Sequence, residues 1–267
     1  MDVASSTQGI TMNWMKALES LAPRHKGERL YRKLHKDVLV AGDIFQAGDD
    51  CTKSRDLLTQ IFLAHHEFNK ENPFRDMFGE YMQENELLNS GTGQFFTPYN
   101  VCDVQVEVLM DKDAMKEMKR ILDPASGTGR YMLSTAKFYA KELGYFNFMF
   151  TNIDIDYQVW VFCVFNAILN NIPGLHILGD SLTNKFRDAY VTIPTFLPVK
   201  DDKMIYTTIW KKADTKLLEE QMTELCKKKP RGQQGIGGGN AVIVKPTRKT
   251  GKKAAEAMDL TKFFAGL

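Results

Sequence analysis

RILDPASGTGRYMLSTAKFYAKEL, residues 120–143, decides the fold. Ile121 and Leu122 read as the end of a buried strand, and Asp123 to Gly129 (DPASGTG) form a turn-rich loop. Residues 131–143 place apolar side chains at helical spacing. The alternation repeats further along. FNFMFTNIDID (146–156) is a strand ending in acids, YQVWVFCVFNAILNN (157–171) is an apolar helix, and LHILGD (175–180) is a third strand. Strands alternating with helices predict a parallel α/β sheet.

Before this block the chain reads as helical, over residues 13–22, 54–70 and 74–88, with Ser54 as an N-cap and Pro73 opening the third helix. GTGQFFTP (91–98) is an aromatic loop, and 101–110 is helical. After Asp180, AYVTIPTF (189–196), MIYTTIW (204–210) and NAVIVKP (240–246) are strand-like, and 213–225 is helical. The expected organisation is an N-terminal helical domain over 1–90, an α/β domain over 91–246 and a basic tail over 247–267.

The length, 267 residues, suits one large domain with helical and tail additions. With 43% hydrophobic and 25% charged residues, a soluble globular chain is expected and bulk disorder is excluded. The longest apolar stretch, VWVFCVF (159–165), is far short of the roughly 20 residues of a membrane span. The N-terminus lacks the basic start and apolar core of a signal peptide. Four scattered cysteines suit a reducing cytosol rather than a zinc or disulfide framework. The expected location is cytoplasmic, in a prokaryotic cell or in a host cell if the gene is carried by a plasmid or virus. No metal site is expected, since His65 and His66 are adjacent on a helix and point apart. Nine Lys/Arg and no acid lie between Lys227 and Lys253, so this segment carries +9 and the remainder −7 in a chain of net charge +2. A basic, glycine-rich tail points to a polyanion or to a solvated surface.

In the DPASGTG loop, Gly127 and Gly129 allow close backbone approach, and the following helix offers free N–H groups. Asp154 and Asp180 end the next two strands at the same carboxyl edge, where open α/β sheets bind ligands. An acid at the Asp154 position accepts from ribose hydroxyls. The loop has no Lys, and Asp123 repels phosphate. A ligand with an adenosine and a cationic end fits better, and S-adenosyl-L-methionine (AdoMet) has both. The alternative is a set of ordinary strand-end turns.

GTGQFFTP, DPASGTG, NIDID and GDSL, in that order, resemble the gamma-class N6-adenine DNA methyltransferases. The methylation subunit of type I restriction–modification systems is the nearest likeness. The resemblance covers residues 75–182, and less fully the chain onward to NAVIVKP. It implies a Rossmann-like AdoMet-dependent methyltransferase sheet behind an N-terminal helical domain. It also implies that Phe96, Thr97 and Pro98 pack on the methionine end of the cofactor. Asp123, Pro124, Ala125, Ser126, Gly127, Thr128 and Gly129 would contact its amino-acid moiety. Asp154, with Ile155 beside it, would hold the ribose, and Asp180 the adenine amine, with Leu182 beside the ring.

The family's catalytic motif is NPPF or NPPY. Its Asn side chain and Pro carbonyl accept the hydrogens of the adenine amine, and its aromatic ring stacks on the flipped base. No NPP occurs in this chain. The nearest string is IPTF (193–196), which keeps Pro194 and Phe196 as the expected catalytic pair but puts Ile193, which cannot accept a hydrogen bond, at the Asn position. Only about 20 residues follow NAVIVKP, so the expected sheet is truncated after the fifth strand and its edge needs cover. No target-recognition domain is evident, which leaves the reading of DNA to a specificity subunit.

MDLTKFFAGL (258–267) puts Leu260, Phe263 and Phe264 on one helical face. They resemble a sliding-clamp-binding peptide in which Ala257 stands for the usual Gln. The alternative is that they dock on the chain's own body. Three functions follow. The first is a DNA N6-adenine methyltransferase, and the second a non-catalytic, methyltransferase-like accessory or regulatory protein on DNA, in effect a pseudoenzyme. The third is an RNA or protein methyltransferase, which no residue specifically supports. Asn152 and Asn184 are candidates for a replacement amine acceptor.

Overall fold

The computed structural model describes residues 13–22, 29–41, 52–71, 73–88, 95–198, 204–227 and 242–244. The chain divides into two compact units, Met1–Pro73 and Phe74–Leu267.

In the first unit, α1 (Trp14–Leu21) begins at Asn13, whose side chain accepts the Lys16 N–H at 3.0 Å. Residues unassigned from sequence form α2 (Leu30–Leu34), which runs on as a π-helical turn over His35–Leu39. α3 spans Thr52–Asn69. Ser54 is not its N-cap. It lies inside the first turn, is buried, and donates its hydroxyl to the Asp37 carbonyl of the π turn. Leu18, Leu34, Val38 and Ile61 are fully buried within this unit.

In the second unit, α4 (Met77–Glu84) starts at Asp76 rather than at Pro73, because the Asp76 side chain accepts the Gly79 N–H at 2.8 Å. Phe78 of α4 stacks on Phe162 at 4.7 Å, so α4 packs within the α/β unit rather than in a helical domain ending at residue 90. Next come α5 (Tyr99–Leu109), β1 (Lys119–Asp123), α6 (Arg130–Leu143), β2 (Phe148–Asp154), α7 (Tyr157–Leu169) and β3 (Gly174–Asp180). β1, β2 and β3 pair in parallel, as their helical crossovers require. The period-2 pattern of β2 sends Phe148 and Phe150 to a cluster with α6, Cys163 and Ala167. Met149 and Ile153 go to the other face, with Ile177, Ala189 and Leu218. α7 is buried at every position from Val159 to Leu169, which is why it reads as apolar all round.

The remaining strands depart from a parallel sheet. β4 (Lys185–Pro198) returns antiparallel to β3, β5 (Met204–Lys212) is antiparallel to β4, and α8 covers Thr215–Lys227. β6 (Val242–Val244) pairs antiparallel with β1. Among the described residues the sheet has six strands in the order β5-β4-β3-β2-β1-β6, one more than the five expected. The sixth is the central part of NAVIVKP, and it covers the free side of β1. No helix among the described residues is long and apolar enough to cross a membrane. Most of the basic stretch, and Leu260, Phe263 and Phe264, lie outside the described residues.

Candidate functional site

The carboxyl ends of β1, β2 and β3 bring Asp123, Asp154 and Asp180 to one edge of the sheet. Asp123 accepts the Ala125 N–H through Oδ1 at 3.1 Å, which turns the chain at Pro124. Its Oδ2 is buried and has no protein partner. Burial first, then repulsion from Asp154, pushes its carboxyl up to about 6. Ser126 donates its N–H to the Ile153 carbonyl at 3.1 Å, and Gly127 donates its N–H to Asp154 Oδ2 at 2.8 Å. The loop after β1 is thereby bound to the end of β2. Gly127 and Gly129 take φ of +55° and +91°, a region that side chains make costly. Thr128 is buried between them, and the Gly129 N–H closes the turn on the Ser126 carbonyl at 2.8 Å.

Asp154 Oδ1 accepts the Asp156 N–H at 2.8 Å, and burial raises this carboxyl too. Asp180 is held below its ordinary value, mainly by the Leu182 N–H it accepts at 2.8 Å. Ile155 and Leu182 stand out to solvent at 63% and 93% exposure. An open depression at this edge is lined by Ile155, Asp180, Thr183, Lys185 and Arg187. Arg187 donates to the Ile155 carbonyl.

The FTP segment sits against the glycine loop. A Cβ on Gly127 would lie 3.6 Å from the Phe96 ring. The Thr97 carbonyl accepts from Arg130 at 3.0 Å, and Pro98 is the N-cap residue of α5. Phe96, Thr97, Pro98 and residues 123–129 are therefore brought together, with Asp154, Ile155, Asp180 and Leu182 along the same edge.

Pro194 and Phe196 are not brought to that edge. Lys185 faces Asp180 at the carboxyl end of β3, whereas Thr192 faces Gly174 at the opposite end. Pro194 lies nine residues past Lys185, roughly 30 Å along the strand. Phe196 is 63% exposed and rests on Tyr206 of β5, with ring centroids 5.0 Å apart. The two candidate substitute acceptors differ in their placement. Asn152 is buried, with its amide 3.1 Å from His176 Nδ1 and 3.2 Å from Met132 Sδ. Asn184 takes φ +53° in the turn between β3 and β4. Among the described residues no three His, Cys, Asp or Glu gather as a metal site.

Sequence reasoning missed a buried cluster beneath the FTP segment. Asp76 is fully buried, and its Oδ1 accepts the Gly79 N–H and Asn166 Nδ2, each at 2.8 Å. Its Oδ2 accepts the Thr128 hydroxyl and, at 3.1 Å, Arg130 Nε. Arg130 is 6% exposed and also donates to Gln83 Oε1 at 2.8 Å. Its guanidinium lies 4.8 Å from the Phe96 ring centroid and 4.4 Å from that of Tyr99. The Tyr99 hydroxyl accepts the Asp76 N–H at 3.0 Å. The only local signal was an Asp ahead of a helical run.

A family model described as N-6 DNA Methylase matches residues 69–223. No curated protein and no solved structure matches the chain.

Proposed function

The chain belongs to the N-6 DNA methylase family, and from that premise we propose that it binds AdoMet at the carboxyl edge of β1–β3 and serves DNA adenine-N6 methylation. The observation carrying this reading is the convergence of Phe96, the Asp123–Gly129 loop and Asp154, with the buried, unpartnered Asp123 Oδ2 among them. An orphaned carboxylate oxygen beside a loop without lysine suits the ammonium of the methionine arm. Asp154 keeps lone pairs for ribose hydroxyls, and Ile155 and Leu182, both exposed, would flank the purine. When bound, AdoMet supplies the electrophilic methyl group. The order of FTP, DPASGTG, NIDID and GDSL supports a gamma-class protein like a type I methylation subunit, with DNA as substrate and a separate specificity subunit.

The placement of Pro194 and Phe196 favours a second reading, in which the protein holds AdoMet without transferring the methyl itself. It then acts as an accessory to a DNA-modifying assembly. Leu260, Phe263 and Phe264 would tether it to a sliding clamp.

Labelled AdoMet incubated with the full chain and unmethylated DNA of mixed sequence separates the two. N6-methyladenine among the digested nucleosides, lost in Asp154→Ala, establishes the transferase. AdoMet binding by calorimetry without product, with and without a specificity subunit, establishes the accessory. Absence of AdoMet binding overturns both.

A further inference from the structure

The buried Asp76–Arg130 pair joins segments that are far apart in sequence and meet at the site. Asp76 precedes α4, Thr128 and Arg130 belong to the glycine loop and the start of α6, and Phe96 to Tyr99 carry the aromatic segment. The Asp76 carboxylate has a donor on each side: Gly79 and Asn166 on Oδ1, Thr128 and Arg130 on Oδ2. The carboxylate is therefore hydrogen-bonded on both oxygens although it is closed off from solvent. Arg130 uses the fork geometry that lysine lacks. One nitrogen takes Asp76, one the Thr97 carbonyl and one Gln83, while its flat face lies against two rings. The approach is close enough that a Cβ on Gly79 would meet Asp76 Oδ2 at 1.9 Å.

We propose that Asp76 and Arg130 are positioning residues of the cofactor site. They brace the Phe96–Pro98 segment against the Ser126–Gly129 loop and so set the space for the methionine arm. The inference rests on the AdoMet reading for its ligand and on the geometry for the brace. Neither residue touches the ligand.

The test uses the full chain with both charges removed together, Asp76→Asn with Arg130→Met, so that neither is left buried alone. Hydrogen exchange without ligand is expected to be at least ten-fold faster at the amides of 95–97, 99 and 125–129, with β2 and β3 unchanged. By calorimetry, AdoMet binding is expected to weaken at least ten-fold. 5′-Methylthioadenosine, which lacks the amino-acid arm, should bind within about three-fold of the parent. Arg130→Lys, which keeps the charge and loses the fork, should fall between. Gln83→Ala, at an exposed position, should move the exchange in the same direction by a smaller factor if the double variant fails to fold. Unchanged exchange in both segments overturns the brace. Equal weakening of both ligands with faster exchange throughout the sheet reduces it to a general structural role. If the parent binds neither ligand, the cofactor reading fails, and the exchange result still decides the brace.

Discussion

The backbone N–H of Gly127 donates to Asp154 Oδ2 at 2.8 Å, so the acid at the end of β2 shapes the loop that leaves β1. Asp154 thus holds the loop, and in the proposed site it also offers lone pairs to the ribose. Asp154→Ala removes both and should weaken AdoMet binding by about 10- to 100-fold, the scale of a lost hydrogen bond to a charged acceptor. Asp154→Asn, which keeps one acceptor oxygen, should lose less. Calorimetric titration measures both, and an unchanged affinity in Asp154→Ala would remove this carboxylate from the site.

Gly129 and Gly144 make a matched pair. Both have positive φ, but a Cβ on Gly129 would lie 2.9 Å from Met132 Cε and 3.0 Å from Cys163 Sγ, whereas Gly144 has nothing within 4 Å. Gly144→Ala should cost about 1 kcal/mol, the backbone term alone. Gly129→Ala adds crowding in the core and should cost about 2–4 kcal/mol. Denaturant unfolding of the two variants decides it, and equal losses would mean that Met132 and Cys163 yield freely.

Acid stability should show two opposed contributions. The Asp123 carboxyl lies at about 6 in the fold against 3.8 ordinarily, so the folded state binds its proton more tightly. Its contribution, about 3 kcal/mol, is present at low pH and lost as pH rises from about 4 to 6. His176, fully buried between Asn152 and Thr192, is held neutral with its pKa lowered to about 3 from 6.5. The unfolded chain takes up that proton first, so its effect is a loss of stability as pH falls below 6.5. Asp123→Asn removes only the first contribution. Its stability should therefore fall more steeply than the parent's between pH 6.5 and 4.5, measured by urea unfolding across that range. Parallel curves would mean that Asp123 ionises normally.

Phe196→Ala should leave AdoMet affinity within about two-fold of the parent, since nine residues of antiparallel strand separate Pro194 from Lys185 at the carboxyl end of β3, where the cofactor is proposed to bind. Ile193→Asn, which rebuilds the missing acceptor in sequence, should not create or raise methyl transfer. A gain of N6-methyladenine in that variant would show that the strand reaches the ligand edge after all.

The legible parts of the site were those written in consecutive residues. DPASGTG announced a loop because its glycines, its Asp-Pro turn and the helical spacing after it all act over a few bonds. The acids ending β2 and β3 followed once those strands were recognised. IPTF reads as a catalytic strand end if β4 starts at Ala189, whereas β4 starts at Lys185. Only residues 181–184 separate it from β3, too few for the dozen or so that a parallel crossover needs. Even a strand starting at Ala189 leaves only residues 181–188 after Asp180, still too few for a parallel crossover, so the antiparallel course that carries Pro194 away from the site was legible in the sequence.

By itself, the sequence determined the two βαβ units, the glycine loop, the apolar helix α7 and the acids at the strand ends, because period, propensity and turn chemistry are local. Only the tertiary structure decided that Val242–Val244 pairs beside β1 and that Asp76 meets Arg130 across 54 positions. An ion pair of that separation has no local periodicity to reveal it. It exists because packing α4 on α7 buries Asp76 among donors from α6, α7 and the glycine loop, and a buried carboxylate is stable only where such donors converge.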